Sequence, residues 1–94
     1  MTEKEARTIV QAALRCGALS AESSCGVVKL AFQSFDGFMD EMAYASVTMT
    51  NRGLSISEMR STQTKAAQKW ESTLAQVLEG LDRIRMSFSE RIAA

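Results

Sequence analysis

The stretch that decides the predicted fold is residues 28–53, VKLAFQSFDGFMDEMAYASVTMTNRG. Apolar residues recur through it in alternating steps of three and four, and the same spacing resumes after the glycine. A mean spacing of about 3.5 residues is typical of helices that pack along a seam. The upstream run is Val28, Ala31, Phe35, Phe38, Met42, Ala45 and Met49, and the downstream run is Ala67, Trp70, Leu74, Val77, Leu81, Ile84 and Phe88.

These two runs predict an all-α fold, an antiparallel helical hairpin whose turn is Asn51, Arg52 and Gly53. Gly53 can adopt the left-handed conformation that ends a helix, and the chain contains no proline to interrupt either helix. The predicted helices span about residues 3–50 and 55–92, and residues 1–94 form a single domain. Each helix begins with the pattern of a capping box, Thr2 to Glu5 and Ser55 to Glu58.

The segment 17–26 leaves two alternatives open for the first helix. Its two glycines and three serines argue for a break, because each glycine costs about 1 kcal/mol inside a helix. The apolar spacing nevertheless continues through the segment without a phase shift, which favours one long, weakened helix. The alternative is a short helix that ends at Cys16, a turn, and a second helix capped by Ser20.

Composition excludes several classes of function. The 11 acidic and 11 basic residues give zero formal net charge, so the clustered basic face of a nucleic-acid-binding protein is not expected. The chain contains no histidine, glycine-rich phosphate loop or nucleophile motif. We therefore expect no catalytic residues, no cofactor and no metal site, and two reduced cysteines, Cys16 and Cys25. No apolar stretch approaches the roughly 20 residues of a membrane span and no signal-peptide pattern opens the chain, which predicts a cytoplasmic protein, exported, if at all, without a cleaved leader.

The predicted first helix carries more apolar surface than one antiparallel neighbour can cover. A two-helix core is also thin, because the ordering cost of about 1.5 kcal/mol per residue nearly cancels the gain from apolar burial. A second helical chain would complete a four-helix bundle; the alternative is that the N-terminal segment folds back as a third helix. The predicted partner interface consists of Phe32, Phe35, Phe38, Met39, Met42, Trp70, Leu74, Val77 and Leu81.

The second half of the chain resembles a known family. Ala66-Ala67-Gln68-Lys69-Trp70 and the ladder that follows it are similar to the aromatic residue and leucine-type ladder after the turn of the WXG superfamily, small helical-hairpin proteins of type VII secretion. The resemblance covers residues 25–92. Asn51-Arg52-Gly53 stands where the family has Trp-x-Gly. The family's C-terminal signal, an aromatic residue with an acid four positions later, has an internal match at Phe32 and Asp36.

This resemblance implies a non-enzymatic helical adaptor that binds a helical region of a type VII toxin or substrate, or a paralogous small helical protein. One alternative is a self-assembling coiled-coil structural protein, or a chaperone from another system such as type III secretion, which would form homo-oligomers without a partner. Another is an inhibitor encoded by a phage or plasmid that occupies a groove of its target. None of these functions involves nucleic acid or membrane insertion.

Overall fold

The computed structural model describes residues 1–35 and 41–93, with side chains as far as residue 88. Its elements in chain order are α1 (Glu3–Arg15), β1 (Ser20–Ser24), β2 (Val27–Phe35), β3 (Glu41–Thr50), β4 (Gly53–Ser61) and α2 (Lys65–Ala93). The strands form one four-stranded antiparallel sheet in the order β1-β2-β3-β4. The fold is therefore α+β, and the predicted all-α helical hairpin, together with the four-helix bundle, is wrong.

Half of the predicted first helix, residues 20–24, 27–35 and 41–50, is sheet, and apolar residues at every second position of β2 and β3 fit a strand with one buried face. Val28, Leu30 and Phe32 of β2 are buried, and each lies opposite a buried residue of β3. Side chains at every second position of a strand point to the same face. The buried residues of β3 that follow this rule are Ala43, Ala45, Val47 and Met49.

Two-residue turns close both outer hairpins. Cys25 and Gly26, between β1 and β2, have φ of 53° and 78°, and a type I′ turn requires positive φ at both of its central residues. Asn51 and Arg52 connect the paired residues Thr50 and Gly53. The predicted turn is therefore a turn, but it joins two strands, and Gly53 begins a strand instead of ending a helix.

The first helix starts as predicted and ends much earlier. Thr2 N–H donates to Glu5 Oε1 at 2.7 Å and Glu5 N–H donates to Thr2 Oγ1 at 3.1 Å, which completes the capping box. The helix ends at Arg15, as in the alternative with a short first helix. A strand, β1, follows it in place of the helix that Ser20 was predicted to cap.

The second helix starts later than the sequence predicted. The residues of the expected capping box, Ser55 and Glu58, lie within β4. The residue that caps α2 is Thr64, whose Oγ1 accepts a hydrogen bond from Ala67 N–H at 3.1 Å. None of the helices in residues 1–35 and 41–93 is long and apolar enough to cross a membrane.

Both helices pack on the same face of the sheet, which we call the helix face, and the core lies between them and the sheet. α1 contacts mainly β1 and β2, whereas α2 contacts β3 and β4. The opposite face, which we call the open face, carries mostly polar side chains. The core consists of Ala6, Ile9, Ala13, Val28, Leu30, Phe32, Ala45, Val47, Met49, Leu74, Leu78 and Leu81.

Candidate protein-binding edge

The described residues among those predicted to bind a partner do not form one exposed surface. Most of those described are buried inside the chain: Phe32, Met42, Leu74 and Leu81 are buried, and Trp70 and Val77 pack half-buried against the core. Phe35 is 51% exposed at the end of β2. Phe38, Met39 and Asp36 lie outside the described residues, and so does the predicted Phe32–Asp36 signal as a pair. The helix that was predicted to carry the apolar stripe is not formed, because the described residues of the stripe belong to β2 and β3.

β4 is an edge strand with an incompletely covered apolar side. It pairs with β3 on one side, and no strand of the described chain pairs with its other side. Leu54, Ile56 and Met59 lie on the helix face because they are opposite Met49, Val47 and Ala45 of β3. α2 leaves part of this side uncovered, since Ile56 is 51% exposed and Met59 is 41% exposed.

A β-bulge keeps Ile56 and Met59 on the same face. Pairing passes from Ser46–Glu58 to Val47–Ile56, so Ser57 is an additional residue in β4. Ser57 Oγ lies 2.9 Å from Thr48 Oγ1, which places Ser57 on the open face. The β3 partners of Ile56 and Met59 are Val47 and Ala45, which are only two positions apart. Ile56 and Met59 are therefore spaced along the edge like alternate residues of a regular strand.

The unpaired backbone groups of β4 belong to these same helix-face residues. Thr62 N–H donates to Met42 O at 2.8 Å and so points towards β3. This direction alternates from residue to residue along an antiparallel strand. The backbone N–H and C=O groups of Ser61 and Met59 therefore point away from β3, and those of Arg60 point towards it. On the other side of the bulge, the backbone N–H and C=O groups of Leu54 and Ile56 also point away from β3. We call the outward groups and side chains of Leu54, Ile56, Met59 and Ser61 the β4 edge.

Arg60 organises the charges of the open face beside this edge. Its Nη2 lies 3.2 Å from Glu41 Oε1, and its Nε lies 3.2 Å from Glu58 Oε1. The guanidinium carbon is 4.9 Å from the centroid of the Tyr44 ring. The charged side chains of Arg60, Glu41 and Glu58 are all at least one third exposed, so each ion pair contributes at most about 1 kcal/mol. An acidic and a basic side chain, Glu58 and Arg60, thus lie on the same face of β4.

The other edge of the sheet offers much less to a partner. β1 has five residues, Ser20–Ser24, and Ala21 is its only apolar residue. α1 packs closely against this strand. Short, polar and covered edges are the usual protection of a sheet against unwanted strand pairing, whereas β4 has nine residues and half-exposed apolar side chains.

The described residues hold no group of three or more histidine, cysteine, aspartate or glutamate residues that could bind a metal ion. Cys16 and Cys25 are free and exposed. In residues 1–35 and 41–88, no buried side-chain nitrogen or oxygen lacks a hydrogen-bond partner. The exposed apolar residues of β4 are thus a stronger sign of a binding surface than any group of polar residues in this part of the chain.

The candidate binding residues of β4 are not among those predicted from the sequence. Leu54-Ser55-Ile56-Ser57 alternates apolar and small polar residues, which is the pattern of a half-buried strand. That signal was available, but the spacing from Ser55 to Glu58 also fits a helix capping box. The capping-box spacing therefore predicts Ile56, Met59, Glu58 and Arg60 in the first turns of a helix, whereas the structure has them in β4.

Comparisons of the chain with protein-family models, with curated proteins and with solved structures found no match. The four-stranded sheet contradicts the resemblance to the WXG superfamily, since that family consists of helical hairpins. Nothing found supports a role in secretion. The geometry of the β4 edge is the basis that remains for proposing a function.

Proposed function

We propose that this protein is a non-enzymatic protein-binding module that accepts an extended polypeptide segment as an additional strand along the β4 edge. The observation that carries this proposal is the coincidence of outward backbone groups and half-exposed apolar side chains at Ile56 and Met59. In strand addition, main-chain hydrogen bonds supply affinity and the alternate side chains supply specificity. The adaptor role expected from the sequence is kept, but with a strand in place of a helical partner.

The two faces of β4 define the segment that would fit. The side chains of the added segment that lie on the helix face would contact Ile56, Met59 and α2, so apolar residues are favoured at every second position of the segment. The remaining side chains of the segment would lie on the open face, where a basic residue is favoured beside Glu58 and an acidic residue beside Arg60. Each backbone hydrogen bond contributes a net of about 0.5–1.5 kcal/mol. A segment that alternates apolar and charged residues therefore matches the β4 edge.

The proposal is tested by comparing two lysine substitutions as baits in cells that make the protein. Ile56→Lys places a charge on the β4 edge. Leu14→Lys is the matched control, because Leu14 is 45% exposed and lies on α1. Both variants replace a half-exposed apolar side chain, so a similar loss of folding stability is expected from each.

Proteins retained by the wild-type chain and by Leu14→Lys, but lost from Ile56→Lys, are the expected result. Mass spectrometry identifies them, and synthetic segments from them should bind with the same dependence on Ile56. Retention of the same proteins by all three baits would show that binding does not use the β4 edge, and the proposal would be wrong.

A further inference from the structure

We propose that the strand that occupies the β4 edge is the β4 strand of a second copy of this chain. This inference rests on the proposed strand addition and names the partner. It follows from the sequence of β4, whose charged residues Glu58 and Arg60 are complementary to themselves when the strand is turned end to end about Met59.

The register of the pairing follows from the bulge. A two-fold axis perpendicular to the sheet places Met59 opposite Met59 of the second copy. Because the outward groups of Ile56, Met59 and Ser61 are evenly spaced along the edge, Ile56 then lies opposite Ser61 of the second copy. These three positions and their symmetry mates supply about six new backbone hydrogen bonds.

The charges of Glu58 and Arg60 favour this register over the one in which the axis lies at the bulge. With the axis at Met59, Glu58 lies opposite Arg60 of the second copy, and the symmetry repeats the pair. A shift of the axis by one position, to the bulge, would bring Glu58 against Glu58. Opposite charges across a pair of strands stabilise it and like charges destabilise it. Within one chain Arg60 Nε lies 3.2 Å from Glu58 Oε1, so the two groups already lie side by side on the open face.

The joined sheet also covers the exposed apolar side chains of the β4 edge. A two-fold axis perpendicular to the sheet keeps the helix faces of both copies on one side. Two four-stranded sheets thereby join into one sheet of eight strands, covered by the helices of both copies. Ile56 and Met59 of each copy then lie at the centre, between the two α2 helices, and lose the exposure that they have in the single chain.

The test is a charge exchange on the full chain, measured by sedimentation velocity over a range of concentrations. The wild-type chain is expected to form a dimer of twice 10.3 kDa. In Glu58→Arg the new arginine faces Arg60 of the second copy, and in Arg60→Glu the new glutamate faces Glu58. Each variant alone should dimerise about tenfold more weakly or worse, because two favourable pairs become unfavourable.

An equimolar mixture of the two variants decides the register. Each arginine of one variant then faces a glutamate of the other, so a heterodimer should form with an affinity close to that of the wild-type dimer. Arg83→Glu is the control: it reverses a charge on α2, where Arg83 pairs with Glu79 at 2.6 Å, and should leave dimerisation unchanged. Circular dichroism and thermal unfolding of each variant verify that it is folded, since Arg60 also contacts Glu41.

A wild-type chain that is monomeric at every concentration would overturn the inference, and so would a mixture that associates no better than its two components. Either result leaves the β4 edge open to a different protein. The lysine substitution at Ile56 tests that broader proposal separately, because its readout is the set of captured proteins and not the mass of the chain itself.

Discussion

Alanine substitutions at Leu30 and Phe35 distinguish the sheet from a helical seam. Leu30 is 2% exposed and points from β2 into the core, between Val47 of β3 and Ala21 of β1. Phe35 is 51% exposed at the end of the same strand. In a helical seam with a spacing of 3.5 residues, Phe35 would be buried and Leu30 would be exposed, because Phe35 is a seam position and Leu30 is not.

The magnitudes follow from the burial of each side chain. Leu30→Ala removes three buried carbon groups, each of which contributes about 0.8 kcal/mol, and leaves a cavity. The expected loss in the free energy of unfolding is about 3–4 kcal/mol. Phe35→Ala removes a larger side chain that is half in solvent, and the expected loss is about 1 kcal/mol.

Urea denaturation of the two variants and the wild-type chain, followed by circular dichroism, measures both losses. A domain of this size has a total stability of roughly 5–14 kcal/mol, so Leu30→Ala should lower the midpoint strongly and Phe35→Ala only slightly. A loss from Phe35→Ala equal to or greater than the loss from Leu30→Ala would refute the assignment of β2 to the sheet.

Two further substitutions test local features of the fold. Thr64→Ala removes the hydroxyl that accepts from Ala67 N–H at the start of α2, and should lower the free energy of unfolding by about 1 kcal/mol in the same urea assay; no measurable change would show that Thr64 does not cap the helix. Cys25→Asn should raise the thermal unfolding midpoint by a few degrees, because asparagine tolerates the positive φ of 53° that the turn imposes on Cys25. A lower midpoint would contradict the type I′ turn.

The sequence predicted the parts of the fold that depend on local signals. Thr2 and Glu5 form the expected capping box, and the chain turns at Asn51 and Arg52. The ladder Leu74 and Leu81 is buried along one side of α2, as the spacing indicated. In each case a few neighbouring residues are sufficient to determine the conformation.

The sheet was missed because two periodicities coincide in residues 28–50. Steps of three and four add up to seven, and Val28, Met42 and Met49 lie on that repeat. Alternation fits better in β3, where Ala43, Ala45, Val47 and Met49 are buried and the residues between them are polar or aromatic. The threonines and valines of this segment favour strands as well. The alternation of apolar residues and the strand-favouring threonines and valines together indicate a period of 2, that is, a strand and not a helix.

The candidate site depends on pairing between distant residues and was harder to predict. The exposure of Ile56 and Met59 results from the position of β4 at the end of the strand order. The common face of these two residues results from the bulge at Ser57, which only the register with β3 reveals. Neither property can be obtained from the composition or spacing of β4 alone.

Amide hydrogen exchange at individual residues of β4, measured by nuclear magnetic resonance at low and high protein concentration, tests most directly whether a strand is added at the β4 edge. Arg60 and Thr62 point towards β3 and should be protected at both concentrations. Ile56 and Met59 should exchange rapidly in dilute solution and become protected when the chain is concentrated. Unchanged, rapid exchange of Ile56 and Met59 at high concentration would contradict pairing with a second copy, and protection of both in dilute monomer would show that β4 is not an open edge.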